Sequence, residues 1–146
     1  IRYFQEFAPN DAILAIAGPL GMDDAKKIPA DKRIVFLGDL DYMSLLSLYK
    51  RSTTFIHLAY LDHCPNVVVD AQAAGCKIVC SNSGGTKEIV SNGLIVHEDS
   101  WDFKPTKLYE PPILTWKNIE EKIQPRKNPS IENCAKKYLS IMQEIL

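Results

Sequence analysis

Short apolar runs without polar alternation recur along residues 12–97, and helical patterns lie between them. AILAIAG (12–18), RIVFLG (33–38), TTFIHLA (53–59), CKIVCS (76–81) and LIVH (94–97) are the runs. A strand covered on both faces has no solvent side to make polar, so these predict buried strands. DYMSLLSLYKR (41–51), PNVVVDAQAA (65–74) and TKEIVS (86–91) read as the helices between them. Parallel neighbours need a crossover, and a helical crossover in one sheet is right-handed. The expected fold class is therefore α/β, an open parallel sheet with helices on both faces.

The pattern changes after about residue 98. EDSWDFKPTKLYEPPIL (98–114) holds three prolines and no sustained period, which predicts a long connection. WKNIEEKI (116–123) and IENCAKKYLSIMQEIL (131–146) read as helices, broken by Asn128-Pro129-Ser130, with Ser130 as N-cap of the second. Ile131, Cys134, Tyr138, Ile141 and Ile145 share one helical face, which is expected to pack on the body. The organisation read here is a ligand-binding domain over 1–97 and a connection with C-terminal helices packing on it over 98–146. IRYFQEF resembles the end of a helix that should follow an earlier strand. With Ile1 in first place, the chain is expected to be a piece of a longer one whose first strand lies upstream.

Composition narrows the partners. Seventeen Lys+Arg against 18 Asp+Glu give a net charge of −1, whereas a nucleic-acid-binding domain is normally distinctly basic. No apolar run approaches the roughly 20 residues of a membrane-spanning helix. Cys64, Cys76, Cys80 and Cys134 form no CxxC pair, and the histidines are scattered, so no metal site is expected. Cys76 and Cys80 sit in a strand run, where thiols pack as small hydrophobes. Unpaired thiols point to a reducing compartment, hence the cytoplasm.

In an open parallel sheet, ligands bind beyond the carboxyl ends of the strands. The loops there are 18–21, 38–41, 60–66 and 82–86, and the third is the richest. Pro65 suits the first turn of a helix, because its missing N–H would be unpaired there anyway. That helix start aims free N–H groups and a partial positive charge at the crevice, as a phosphate or polar sugar edge requires. Asn66 and Asp70 are four apart and share a helical face, while Asp62 lies in the preceding loop. The plain structural alternatives are that Asp62 caps the helix and Asp70 is a solvated surface residue. In SNSGGTKE, Gly84 and Gly85 allow close backbone approach to a ligand, or simply a tight strand–helix turn. Glu88 stands where a capping residue or a site-supporting carboxylate would.

Taken in order, these segments resemble the C-terminal, nucleotide-sugar-binding domain of retaining GT-B glycosyltransferases of the family-4 type. An FLG strand leads to a helix ending in SLYKRS. A strand then precedes Asp62, seven intervening residues and Asp70, followed by Ala71, and Gly-Gly-x-x-Glu follows the next strand. The resemblance implies a Rossmann-like domain, one half of a GT-B architecture, with residues 1–97 binding the nucleotide sugar. It implies transfer of a hexose from a UDP- or GDP-sugar, with retention, to an acceptor glycan or lipid held by an N-terminal domain. The donor is a substrate, and no cofactor is implied. Asp62 takes the place of the first acid of the motif, at the donor sugar in the catalytic centre, and Asp70 that of the second, on the ribose hydroxyls. The backbone at Cys64, Pro65, Asn66 and Val67 would face sugar and phosphates, and Leu40 would lie against the base. Gly84, Gly85 and Glu88 would support the site.

Both acids are aspartate where the family usually has glutamate, one methylene longer. The family's pyrophosphate-gripping Arg and Lys would lie upstream of Ile1, so the isolated fragment is expected to be inactive. A peripheral position at the inner face of a membrane is compatible with the full-length protein. Two other readings stay open: a degenerate, non-catalytic sugar-nucleotide-binding module, and a GT-B epimerase or phosphorylase. A receiver-type signalling domain does not fit, because TTFIHLA is followed by AYLD and LIVH by Glu98, where that fold needs a phospho-acceptor Asp and a Lys.

Overall fold

The computed structural model describes residues 1–19, 21, 28, 30–97, 116–124 and 130–145. They form two compact units, Ile1–Leu48 and Tyr49–Leu146.

In the first unit, helix α1 (Arg2–Phe7) precedes strands β1 (Leu14–Ala17) and β2 (Ile34–Gly38), which pair in parallel with Leu14 opposite Ile34. The entry to β2 is fixed electrostatically. Arg33 Nη2 donates to Asp31 Oδ2 at 2.9 Å, Nε donates to Oδ1 at 3.2 Å, and the guanidinium lies 4.9 Å from the Phe4 ring centroid. These charge-assisted bonds hold the Asp31 carboxyl down at about 2. Helix α2 (Tyr42–Arg51) follows, capped by Asp41, whose Oδ1 accepts the Ser44 N–H at 2.9 Å.

The second unit is built on a sheet of order β3-β4-β5-β6, with β3 (Thr54–His57), β4 (Lys77–Ser81), β5 (Asn92–Val96) and β6 (Ile119–Ile123). The first three strands run parallel, as the unbroken apolar runs predict. Helix α3 (Asn66–Ala74) crosses from β3 to β4, and the short α4 (Thr86–Ile89) crosses from β4 to β5. Val68 and Ala71 of α3, Ile78 and Cys80 of β4, Val90 and Val96 form the buried core.

β6 departs from the expectation. WKNIEEKI was expected to be helical, yet Ile119–Ile123 is a strand, antiparallel to β5, with Ile123 opposite Asn92. The sheet is accordingly mixed and not wholly parallel. Its edge carries charge, as edges that must not pair further do: Lys77 Nζ donates to Glu121 at 2.9 Å, and His97 Nε2 pairs with Glu120 at 2.9 Å.

Helix α5 (Ile131–Ile145) starts as expected, with the Asn133 N–H donating to Ser130 Oγ at 3.1 Å. Its apolar stripe is uncovered among the described residues; Ile131 is 90% and Tyr138 66% exposed, so the expected packed face is not seen there. The connection expected over 98–114 and the Asn128-Pro129 break lie outside the described residues. No helix among those described is long and apolar enough to cross a membrane.

Candidate functional site

At the carboxyl end of β3 the chain turns through Leu61, which takes the left-handed conformation at φ 58°, and presents Asp62. Two neighbours fix the Asp62 backbone. Its carbonyl accepts the Gly85 N–H at 3.0 Å and the Thr86 hydroxyl at 3.4 Å. Three residues before Asp62, the Ala59 carbonyl accepts the Ser81 hydroxyl at 3.1 Å. The loop after β3 is thus tied to the loop after β4.

The two glycines make this approach possible. A Cβ at Gly84 would overlap the carbonyl oxygen of Asp62, and one at Gly85 would overlap that of His63. Gly84 also holds φ 71°, a region that side chains rarely adopt. The Gly-Gly pair therefore serves as a backbone platform for residues 62–63, a more specific role than a tight turn.

Pro65 is the N-cap of α3, at φ −70° and ψ 115°, so the helix begins one residue later than expected. It is buried, and its carbonyl accepts the Val68 N–H at 3.0 Å. No side chain caps the helix and no acid lies in its first turn. The reading of Asp62 as a cap is thus not what the geometry gives, and among the described residues the first-turn N–H groups of Asn66 and Val67 are left for other acceptors. Cys64, Asn66 and Val67 are exposed around that helix start. Asp70, the fifth residue of α3, is half-buried, and among the described residues no hydrogen bond reaches its carboxylate.

Asp62 is half-exposed, and its Oδ2 lies 3.2 Å from His57 Nε2. Glu88 is exposed and makes no capping bond at the start of α4. Leu40 lies just past β2 in the first unit and is half-buried. The structure therefore brings Asp62, Cys64, Pro65, Asn66, Val67, Gly84 and Gly85 into one loop cluster, with Asp70 one turn along its helix.

Three participants escape the sequence reading: His57, Ser81 and Thr86. His57 left one signal, a polar residue inside an apolar strand run and five positions before Asp62. The hydroxyls of Ser81 and Thr86 left none, because their partners are remote carbonyls.

Behind the site, Gln72 ties α3 to the next crossover, its Oε1 accepting from the Ser91 N–H at 2.8 Å while Nε2 donates to the Ile89 carbonyl at 3.2 Å. Cys76 and Cys80 are buried, and Cys64 and Cys134 exposed. Burial pushes the Cys80 thiol up to about 11, partly offset by Lys122 and Lys87. Among the described residues no group of three or more His, Cys, Asp or Glu could hold a metal ion.

The family model for glycosyl transferases group 1 matches residues 2–107 of this chain. Two curated relatives, both named glycogen synthase and from Mycobacterium tuberculosis strains CDC 1551 / Oshkosh and ATCC 25618 / H37Rv, are each 35% identical over 72 residues. That match covers 49% of this chain and 17% of either relative. No solved structure matches significantly.

Proposed function

This chain belongs to the group 1 glycosyl transferases, and on that premise we propose that it is the donor-binding part of a retaining hexosyltransferase of the family-4 type. Its donor is a UDP- or GDP-hexose, and its acceptor is a glycan or lipid bound by a domain beyond this sequence.

The observation that carries the reading is the uncapped start of α3 at the carboxyl edge of the sheet. An acid stands in the loop before it, and a second, unbonded acid lies on the helix itself. Free N–H groups and the positive end of the helix dipole suit the diphosphate. The second acid, Asp70, accepts from the ribose hydroxyls, as a carboxylate does in dinucleotide folds. Asp62, held by the Gly-Gly platform, faces the donor sugar, and the backbone of Cys64, Pro65, Asn66 and Val67 lines sugar and phosphates.

In the reaction the bond from the anomeric carbon to the diphosphate breaks and a bond to an acceptor oxygen forms on the same face. The acceptor proton leaves toward the departing phosphate oxygen. Catalysis rests on positioning and on stabilising the charge that develops on the leaving group.

The test is incubation of the intact protein with UDP- and GDP-hexoses, with and without glycan and lipid acceptors, followed by NMR of the product's anomeric configuration. Acceptor-dependent release of diphosphate with configuration retained is the expected result. Inversion contradicts the retaining assignment. Conversion without acceptor indicates an epimerase, dependence on inorganic phosphate a phosphorylase, and binding without turnover a non-catalytic module.

A further inference from the structure

Asp62 has a partner that the donor-site reading does not use. His57 closes β3, half-buried, and its ring lies nearly parallel to that of Phe55, with centroids 6.3 Å and planes 15° apart. Phe55 in turn meets Tyr49 edge-on at 5.2 Å. This short aromatic column fixes the plane of the imidazole, and Nε2 points at Asp62 Oδ2 across 3.2 Å. A carboxylate can only accept in such a bond, so the contact calls for the ring form that carries its proton on Nε2.

Packing does not call for an imidazole at this position. A leucine or phenylalanine would continue the column without a polar atom to desolvate. What the imidazole adds is a third hold on Asp62, whose carbonyl is already gripped by the Gly85 N–H and the Thr86 hydroxyl. Among the described residues nothing else bonds the Asp62 carboxylate, whose side chain is 34% exposed. With Oδ2 anchored, Oδ1 is the oxygen left for a ligand.

We infer that His57 is a positioning residue. Its Nε2–H fixes Oδ2 of Asp62 so that Oδ1 meets a hydroxyl of the donor sugar in one orientation. The inference rests on the assignment of Asp62 to the donor sugar. A group that restricts an existing contact acts on the barrier more than on affinity.

The experiment compares His57→Leu, His57→Gln and Asp62→Asn in the intact protein. Leucine keeps bulk and removes the N–H; glutamine keeps an N–H of similar reach. His57→Leu is expected to lower kcat about tenfold, the worth of one charge-assisted hydrogen bond, with donor KM, diphosphate affinity and melting temperature essentially unchanged. His57→Gln recovers most of the loss. In the wild-type protein, long-range proton–nitrogen spectra of the ring show the proton on Nε2, and Asp62→Asn shifts that signal.

Full kcat in His57→Leu overturns the inference, as does a His57→Gln variant equally impaired at normal melting temperature, or a ring with Nε2 unprotonated. Should His57→Leu not fold, His57→Phe, which also removes the N–H, takes its place, and its double variant with Asp62→Asn decides: non-additive losses support coupling and additive losses overturn it. Full turnover in Asp62→Asn overturns the Asp62 assignment together with this inference. Impaired Asp62→Asn beside normal His57→Leu overturns this inference alone.

Discussion

At Gly84 and Gly85 the cost of one methyl group is set by somebody else's backbone. Gly85→Ala drives a Cβ into the His63 carbonyl, and Gly84→Ala adds a left-handed conformation to the same kind of overlap with Asp62. Each is expected to cost about 1–3 kcal/mol, read as a lower urea midpoint at unchanged slope. Both should also displace the loop that carries Asp62. The cysteines divide the other way. Cys64 and Cys134 are exposed, whereas Cys76 and Cys80 are buried, with the Cys80 thiol up at about 11. Ellman's reagent at neutral pH should therefore titrate two thiols in the native protein and four after denaturation; four fast-reacting native thiols would contradict the core described here.

Acid stability follows from Asp31. Its folded value of about 2 lies below the ordinary carboxyl value of 3.8, so the pair with Arg33 favours the fold above pH 4. That contribution is lost as pH falls from 3.8 toward 2, because the unfolded chain takes up the proton first. Asp31→Asn should flatten the acid limb of the melting-temperature profile over that window and lower the plateau above it. An unaltered acid limb would contradict the pairing.

Among the elements, those built from local signals were legible in the sequence. The unbroken apolar runs mark β1 to β5, and the helix at 65–74 is displaced by a single residue at its start. β6 was not legible, for a reason of arithmetic. Ile119 and Ile123 are four apart, a spacing that fits one face of a helix and equally one face of a strand. What decides is the free edge of β5 and the side-chain contacts from Lys77 to Glu121 and from His97 to Glu120, whose sequence distance hides them. The α5 stripe shows the opposite limit. Periodicity reveals an apolar face, but not what covers it. Its cap was legible because Ser130 acts on a neighbour three residues on. Ser130→Ala should cost about 1 kcal/mol of helix stability, seen as weaker far-UV dichroism on warming; no change would mean that the cap does not hold α5.

For the site, Asp62 and the glycines could be named because they follow strand ends, and Asp70 because it stands eight positions after Asp62 in a recognisable order. That the glycines serve the Asp62–His63 backbone, and that His57 faces Asp62, are three-dimensional facts that local spacing does not contain.

At the scale of the whole molecule, the residues assigned to the donor lie inside the stretch matched by the glycosyl transferase family; all but Leu40, which belongs to the first compact unit, fall between His57 and Glu88 in the second. The chain spans about a sixth of the length of the glycogen synthases it matches, at 17%. Acceptor chemistry is thus the part of the proposal farthest from these residues, and nucleoside diphosphate binding the nearest. The most direct measurement is calorimetric titration of UDP and GDP into the intact protein and into its Asp70→Asn and Asp62→Asn variants, with melting temperatures recorded alongside. Asp70→Asn removes a charge-assisted bond to the ribose, about 1–2 kcal/mol, and should weaken the preferred diphosphate about tenfold, whereas Asp62→Asn should leave its affinity nearly unchanged. No binding of either diphosphate at millimolar concentration, or equal small drops in melting temperature with affinity untouched in both variants, would contradict the assignment of this helix start to the donor.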